Sequence, residues 1–471
     1  MSRTFAALAH RNYRWFIAGQ SVTNVGTWMQ RIAQDWLVLQ VTHGDAVTLG
    51  VVTAFQFLPF LVLAPVVGVV ADRFDRRVVL AITGTVGALA AAGLAAAAMD
   101  GSVSTVGIYA AAAALGVAAA FDQPARQALL GQLVPRDALG NAVALNSATF
   151  NLARIIGPAL AGVLIAWIGV GPVFAANAVS FLWAVGSLAF MRPREFVEGH
   201  RSAAGDAVTF RAGLRYLRQQ PDLLLVLSMV GIAAIFAFNF SLTTALMSTQ
   251  VFGVGAGAFG MLGATLSIGS ISGSLLAARR QVRPSLRHVV AAGVGFGLAT
   301  AISGLMPTYA WFAAFLPVCG FSALTFSVAA QSYLQLRAAA DQRGRVMGIY
   351  ALVFFGSNPI GAPLLGLVAA HFGPRWCLVG GGVLAAGLLL ILTSLAARLG
   401  WLRRDGGEES EHRIAAGRSA AIGAVSGAQG GQVVPAPEAV VDVATEQVSD
   451  APAKFAGNVG RTAPAPSRGS A

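Results

Sequence analysis

The chain has 471 residues, of which 56% are hydrophobic and 11% charged, and its formal net charge is +12. This number of charged residues is too small to cover a water-soluble globule of this size. Most of the protein's surface must therefore face lipid. The composition also excludes a disulfide framework, a zinc cluster and a P-loop ATPase, because the two cysteines lie alone in apolar runs, the six histidines are scattered, and the single lysine, Lys454, lies in a polar tail.

Twelve apolar stretches follow one another along the chain. Each can cross a bilayer, because a helix needs about 20 apolar residues to span a core of about 30 Å. They cover residues 15–40, 48–71, 78–98, 103–123, 142–168, 171–191, 222–247, 257–278, 288–306, 309–335, 346–370 and 375–397. The first lacks the cleavage pattern of a signal peptide. We therefore predict an all-α membrane protein with twelve transmembrane helices.

The arginines predict the orientation in the membrane. Of the 27 arginines in residues 1–404, 23 lie in the N-terminal segment, the even-numbered loops and the stretch after the last span, whereas the opposite loops hold only Arg375. By the positive-inside rule both termini are expected in the cytoplasm, with the chain in the cell inner (plasma) membrane. Contact with lipid then accounts for the basic charge, and no nucleic-acid partner is expected.

The longest polar interruption, 192–221, separates six stretches from six. We predict a six-helix bundle at 1–191, a cytoplasmic linker at 192–221, a second bundle at 222–404 and a disordered cytoplasmic tail at 405–471 that is rich in Gly, Ala, Pro and Ser. Arginines and apolar residues alternate with helical spacing over 210–218. This pattern indicates either an amphipathic helix on the inner leaflet or a solvated linker.

An internal repeat relates the two bundles. A shift of 204 to 205 residues places Gly157, Gly162 and Gly169 on Gly361, Gly366 and Gly373, Gln127 on Gln331, and Gly50 and Gly68 on Gly255 and Gly273. The same shift places Asp35 on Asn239 and Arg31 on Ile235, so only the first half carries these charges. Two parallel six-helix repeats predict pseudo-symmetric bundles with the substrate path between them.

The loop between the second and third spans combines a glycine with closely spaced acidic and basic residues. It reads Gly68-Val-Val-Ala-Asp72-Arg73-Phe-Asp75-Arg76-Arg77. This run resembles the loop signature of the major facilitator superfamily, G-x-x-x-D-R-x-x-R-R. The resemblance implies that Asp72 latches the cytoplasmic side, that Gly68 permits close helix approach, and that Arg73, Arg76 and Arg77 complete a conformational gate.

Two further sets of residues resemble particular branches of this superfamily. Gly157-Pro158-Ala-Leu-Ala-Gly162 in the fifth span is similar to the fifth-helix signature of proton-coupled antiporters, although small residues there could serve packing alone. Residues 10–14, 24–30 and 122–126 resemble the branch typified by the enterobactin exporter and by transmembrane secretion effectors. That resemblance covers about residues 5–400. It implies proton-driven efflux of siderophores, drugs or secondary metabolites.

Three arginines and two aspartates lie in or beside the spans. Arg31 and Asp35 are one helical turn apart, and each costs about 2.5–3.5 kcal/mol at a helix centre, so we expect them to face a cavity. Burial and a neighbouring arginine act on the pKa of a carboxylate in opposite directions, which makes Asp35 the candidate proton carrier and Arg31 its partner. A static ion pair, or a position of Asp35 near the outer headgroups, is the alternative.

Asp122 and Arg126 repeat the one-turn spacing at the inner end of the fourth span. They are expected to form either a helix-end salt bridge or part of the conformational gate. Arg154 has no acidic neighbour in the fifth span and could bind an anionic substrate group or answer Asp35 across the cavity.

We predict that polar and aromatic side chains from both halves line an amphipathic substrate cavity, which suits a bulky, partly apolar solute. These are Trp28, Asn146, Asn151, Arg154, Asn239, Thr243, Gln331, Gln335 and Asn358.

The sequence thus predicts a secondary transporter, expected to be monomeric, whose partners are a small-molecule substrate, protons and membrane lipids. The two halves would alternate access by rocking, and export would be antiport against protons. Two alternatives stay open: a facilitator that imports a nutrient, and a scaffold or sensor without flux. No enzymatic activity, metal or cofactor is expected, because no catalytic or ligand group stands out.

Overall fold

The computed structural model describes residues 3–196, 210–279, 284–339 and 341–398. Within these ranges the chain is helical and contains no strand. The α-helices are α1 (Arg11–Val41), α2 (Ala46–Arg73), α3 (Arg76–Asp100), α4 (Thr105–Leu133), α5 (Arg136–Ile168), α6 (Val170–Ala189), α7 (Phe210–Gln219), α8 (Pro221–Phe236), α9 (Phe240–Leu246), α10 (Ala256–Arg279), α11 (Leu286–Gly304), α12 (Tyr309–Arg337), α13 (Arg343–Gly356), α14 (Asn358–Phe372) and α15 (Pro374–Arg398). One π-helical turn, Met247–Val251, follows α9.

Eleven helical stretches among the described residues are long and apolar enough to cross a membrane. The expected twelfth span corresponds to α1, which has 31 residues but carries Arg31, Asp35 and several buried amides. It is packed mainly against α5 and α6, within the first half. Its length therefore fits a span, whereas its polarity sets it apart from the other eleven.

Polar caps explain where several helices begin. Asp45 accepts hydrogen bonds from the amides of Val47 and Thr48 at the start of α2, and Ser104 accepts one from Gly107 at the start of α4. These side chains satisfy amides that a helix leaves unpaired in its first turn. The sequence places most span ends within a few residues, but α4 continues ten residues beyond its predicted end at 123.

Two predicted spans are each built from two helices. Residues 222–247 form α8 and α9, and residues 346–370 form α13 and α14 with Ser357 at the junction. At the first break, the Asn239 amide donates hydrogen bonds to the carbonyls of Ala234 (3.1 Å) and Ile235 (2.9 Å). A broken helix at membrane depth is tolerated when its freed carbonyls find such partners.

We call α1–α6 the first half, α8–α15 the second half, and the end of the bundle that carries loops 42–45 and 252–255 the distal end. Two helix pairs make most of the contact between the halves, α2 with α14 and α5 with α10. Their contacts extend from the distal end to about mid-helix, where the Ser267 hydroxyl donates to the Arg154 carbonyl at 2.9 Å. Small residues permit the close approach of these helices.

The close contacts of the two pairs are reciprocal. A methyl group at Gly366 would lie 2.6 Å from the Ala46 carbonyl oxygen, and one at Gly162 would lie 2.8 Å from the Ala256 carbonyl oxygen. Gly162 and Gly366 are 204 positions apart, as the repeat predicts. Ala46 and Ala256, however, are 210 positions apart.

The constant shift is therefore wrong for the first two spans of each half. The cause is a difference in helix length, since α3 has 25 residues and α11 has 19. Helices before that difference are related by 210 positions and helices after it by 204. The close backbone contacts make Gly50 equivalent to Gly260 and not to Gly255. The same correction removes the expected pairings of Asp35 with Asn239 and of Arg31 with Ile235.

The predicted linker contains α7 (Phe210–Gln219), which contacts α8 and α13. Leu217 on α7 is fully buried in the core of the second half, whereas Arg215 and Arg218 are exposed. Residues 197–209 of the linker and the predicted tail lie outside the described residues. The helices described above belong to one compact unit, Met1–Gly406.

Candidate functional site

Asp35 lies between the two halves. Its side chain is 3% exposed, and its Oδ2 atom accepts a short hydrogen bond from the Ser241 hydroxyl on α9. Ser241 itself is exposed, so this hydrogen bond joins a buried carboxylate of the first half to an exposed hydroxyl of the second. Next to it, Trp36 stacks on Phe259 of α10 with 6.2 Å between ring centroids. A proton exchanged at Asp35 would therefore act directly on a contact between the halves.

Arg31 and Arg154 converge on one aromatic ring. The Arg31 guanidinium carbon lies 5.0 Å from the Trp28 ring centroid and 5.7 Å from that of Phe57, and the Arg154 guanidinium carbon lies 5.7 Å from the Trp28 ring centroid. Both arginines are half-buried. Aromatic faces stabilise cations in this geometry, so Trp28 supports two charges at once. We call Arg31, Trp28 and Arg154 the arginine clamp.

The predicted pair of Arg31 and Asp35 shares a helical face without a direct ion pair. Salt bridges join Asp122 to Arg126 and Arg192 to Glu195, and none joins Arg31 to Asp35. Arg31 turns toward the rings of Trp28 and Phe57, while Asp35 turns toward Ser241. The two groups therefore occupy neighbouring but separate sites, both inside the protein.

The fifth-span motif lies directly behind the clamp. A methyl group at Gly157 would lie 2.5 Å from the Trp28 Cβ atom, so glycine sets the spacing of α5 against α1. On the other side, Pro158 packs against Gly260 and Gly263 of α10. Gly157 thus lets α5 pack closely against α1 at the clamp, and Gly162 lets the same helix pack closely against α10 of the second half. A gating role for this motif stays a prediction.

Two residues of the loop signature between α2 and α3, Asp75 and Arg77, make contacts within the first half. Asp75 accepts a hydrogen bond from the Arg77 amide at 2.8 Å and so begins α3. The Arg77 guanidinium donates to the Leu188 carbonyl at 3.0 Å and lies 5.7 Å from the Phe196 ring. Arg77 therefore fastens α3 to the end of α6.

The remaining signature residues stand at the α2–α3 turn. Gly68 and Asp72 lie in the last turns of α2, but their side-chain surroundings lie outside what the structure describes. Arg73 is exposed at the end of α2 and Arg76 is half-buried at the start of α3. The latch assigned to Asp72 therefore stays a prediction.

Asp122 and Arg126 form the predicted ion pair, and it lies inside the first half. The Arg126 guanidinium donates to Asp122 through two nitrogens, one at 2.8 Å and one in a shorter contact. Thr83 on α3 donates to the other carboxylate oxygen at 3.4 Å. The two side chains are about one-quarter exposed and border a small cavity of about 30 Å³ between α1, α3, α4 and α6. This position favours the salt-bridge interpretation over contact with the second half.

Asp122→Asn is expected to lower the unfolding temperature of the purified protein by several degrees, because charged hydrogen bonds of this kind contribute about 1.5–3 kcal/mol. Thermal unfolding in detergent measures the effect. The double variant Asp122→Asn with Arg126→Gln should recover part of the loss, since it leaves no unpaired cation. Unchanged unfolding together with lost transport would contradict this and favour a gate.

Two predicted cavity residues serve the break between α8 and α9. Asn239 is 5% exposed and donates to the carbonyls before it, and Thr243, 3% exposed, donates to the Asn239 carbonyl at 3.1 Å. Their hydrogen bonds hold the broken helix together. Contact with substrate stays a prediction for both.

The other predicted cavity residues are spread along the facing helices. Asn151 donates to the Ser147 carbonyl at 2.8 Å, and Asn358 to the Phe354 carbonyl at 3.3 Å. Asn146 and Gln331 are half-buried, and Gln335 is exposed. None of these observations assigns a substrate contact, so their role also stays a prediction.

Sequence reasoning missed two polar contacts that position α1. One is Ser241, whose only signal was its place in an apolar span. The other is a buried amide cluster in which Asn177 on α6 donates to the Gln30 side chain in a short contact and Ser180 donates to Asn177 at 2.8 Å. Amides inside a membrane bundle usually pair with each other, which was the available signal. This cluster fixes the rotation of α1 against α6.

Comparison with known proteins agrees with this architecture. Residues 2–409 match the family model described as transmembrane secretion effector. The Bacillus subtilis (strain 168) protein named uncharacterized MFS-type transporter YfiS is 26% identical over 402 residues, covering 82% of this chain and 92% of its own. The enterobactin exporter EntS of Citrobacter koseri is 29% identical over 345 residues, covering 72% of this chain and 80% of its own.

The fold is also that of solved transporters. The crystal structure of the POT family transporter PepTSo superimposes with a TM-score of 0.66 at 14% identity, covering 84% of this chain and 99% of that chain. The chain therefore belongs to the transmembrane secretion effector family of the major facilitator superfamily, and it is a multi-pass membrane transporter, not an enzyme.

Proposed function

We propose that the protein is a proton-coupled antiporter that exports an amphipathic small molecule, such as a siderophore, drug or secondary metabolite, across the plasma membrane. The observation that carries the proposal is the buried carboxylate of Asp35, held by Ser241 of the opposite half. The likeness to an enterobactin exporter supports export as the direction. We further propose that α1 crosses the membrane with the other spans and that both termini are cytoplasmic.

In this proposal the structure is open toward the cytoplasm. The contacts between the halves run from the distal end to mid-helix, and with cytoplasmic termini the distal end faces outward. Substrate would enter from the inside and reach the arginine clamp, while Asp35 lies toward the sealed side. Opening of the distal end would separate Ser241 from Asp35 and expose the carboxylate to external protons.

Coupling then follows from the contact between the halves. A charged carboxylate holds the Ser241 hydroxyl more strongly than a neutral one, because hydrogen bonds to ionised groups are about twice as strong. Binding and release of a proton at Asp35 would therefore change the free-energy difference between the open and closed distal end. A ligand shifts such an equilibrium only by its differential affinity for the two states.

Inside-out vesicles provide the test. Vesicles with an acidic lumen and the overproduced protein should accumulate compounds from a panel of siderophores, antibiotics and nutrients, as measured by mass spectrometry against vesicles without the protein. Collapse of the proton gradient with an uncoupler should abolish accumulation. Accumulation only in right-side-out vesicles would identify an importer, and binding without flux in either orientation would identify a scaffold or sensor.

A further inference from the structure

We propose that the arginine clamp is an anion site and that the exported substrate is an amphipathic organic anion. This inference deepens the proposed function by naming its substrate class. Its acidic group would lie between the guanidinium groups of Arg31 and Arg154, and its apolar part would pack against the neighbouring rings.

The first argument is the unused hydrogen-bonding capacity of the two arginines. Each guanidinium carries five N–H donors. Among the described residues, neither guanidinium group donates a hydrogen bond or forms a salt bridge, and their close contacts are with the Trp28 and Phe57 rings. A cation inside a membrane bundle is costly and normally pairs with an acid or a carbonyl. Two such cations at one ring therefore keep donors that no described protein group uses and that a ligand can bind.

The second argument is the arrangement of charge around the clamp. Two like charges at one tryptophan repel each other, and a bound anion removes that repulsion. Asp35, the nearest acid to Arg31 along the chain, accepts a hydrogen bond from Ser241 and forms no salt bridge with Arg31. In the described part of the second half, the acidic residues are Asp222, which accepts a hydrogen bond from Tyr333, and Asp341 beside α13. Both belong to the end of the bundle opposite the distal end.

The third argument is the apolar surface beside the charges. Phe150 packs edge-on against Trp28 with 6.0 Å between centroids, and Phe57 stacks with Phe355 of the second half at 6.4 Å. Phe60 also stacks on Phe355, at 5.2 Å. Phe57 and Phe60 belong to the first half and Phe355 to the second, so an apolar group that packs on these rings would contact both halves. Guanidinium groups bind planar anions through paired hydrogen bonds, and the rings favour an aromatic or aliphatic body.

Separate positions for the anion and the proton suit an exporter. The clamp belongs to α1 and α5 of the first half, whereas the Asp35–Ser241 contact joins the halves. Outward movement of one anion and inward movement of one proton both displace charge in the direction favoured by an inside-negative potential.

Equilibrium binding of a matched probe pair tests the proposal. The probes are 2-naphthoate and 2-naphthamide, which share a shape and differ in charge. Titration calorimetry of the full chain in phosphatidylcholine nanodiscs, corrected for empty discs, should show that naphthoate binds about ten-fold more tightly or better. The variants Arg154→Gln and Arg31→Gln should each reduce this preference, and the double variant should abolish it, while naphthamide affinity stays unchanged.

Arg218→Gln is the matched control, because it removes the same charge from the exposed face of α7. It should leave the preference intact. Equal affinity for the two probes, absence of binding by both, or a preference that survives the double variant overturns the anion site. Phosphatidylglycerol in the discs should not weaken naphthoate binding; a marked loss would make a lipid phosphate the occupant and would also overturn the proposal.

Failure of this test is distinguishable from failure of the proposed function. The titrations contain no proton gradient and require no transport. Gradient-driven accumulation of neutral or cationic compounds, together with no preference for naphthoate, would retain the proton-coupled exporter and reject the anionic substrate. A preference for naphthoate without gradient-driven accumulation would retain the anion site and reject the proton-coupled exporter.

Discussion

Asp35→Asn is expected to reduce proton-driven accumulation in inside-out vesicles to the level of vesicles without the protein. Asparagine keeps the shape of the side chain and can still accept a hydrogen bond from Ser241, but it cannot bind and release a proton. The variant should therefore fold normally and still exchange labelled for unlabelled substrate when no gradient is imposed. This combination separates loss of coupling from loss of the transporter.

Two further variants sharpen that result. Asp100→Asn, at the exposed end of α3, removes the same type of carboxylate and should transport normally. Ser241→Ala removes the hydrogen bond to Asp35 and should slow gradient-driven transport while leaving some of it. Undiminished accumulation by Asp35→Asn at the same proton gradient would remove Asp35 from the coupling role.

Gly366→Val is expected to lower transport by about ten-fold or more, because the distal end can no longer close. Even a methyl group at this position would lie 2.6 Å from the Ala46 carbonyl oxygen and 3.2 Å from the Val47 Cα atom. Backbone atoms cannot give way as a flexible side chain can, so α14 and α2 would be held apart. The structure with a sealed distal end would lose population to one that is open there.

Spin labels at Thr42 and His371 would measure this change, since Thr42 follows α1 and His371 lies in the last turn of α14, both at the distal end. Their separation should increase in the valine variant. Cys319 and Cys377 are buried and should add little background labelling. Gly387→Val is the matched control, because a methyl group there meets no atom within 4 Å. Normal transport by Gly366→Val would contradict a role of the distal contact in the cycle.

Hydropathy predicted the helices of this protein well. The third span, for example, was expected at 78–98 and is α3 at Arg76–Asp100. Lipid makes this possible, because every backbone group in a span must bond within its own helix. The break between α8 and α9 was not predicted, because it depends on an asparagine side chain that satisfies two carbonyls of the preceding turn.

The repeat was predicted only in part. Glycines are so frequent in this sequence that single matches between the halves carry little information. The 204-residue shift relates α5 to α14, but the six-residue difference between α3 and α11 changes it to 210 for earlier helices. The reciprocal contacts of Gly162 and Gly366 and the helix bounds reveal the change.

The candidate site was predicted as a set of residues but not as an arrangement. The cost of charge in lipid identified Arg31, Asp35 and Arg154. The partner of Asp35 is Ser241, more than 200 residues away, and such a contact depends on the packing of the halves. Likewise, the meeting of Arg31 and Arg154 at Trp28 requires the close approach of α1 and α5 that Gly157 permits.

The helix interruptions give the two halves unequal stiffness. Each of the first six spans is one continuous helix, whereas the second half contains the α8–α9 break, a π-helical turn and the α13–α14 junction. Backbone amides beside these interruptions should exchange with deuterium sooner than those of α1 and α6, which an amide cluster ties together. Helix bending during the transport cycle would then concentrate in the second half, while the first half moves as a rigid body.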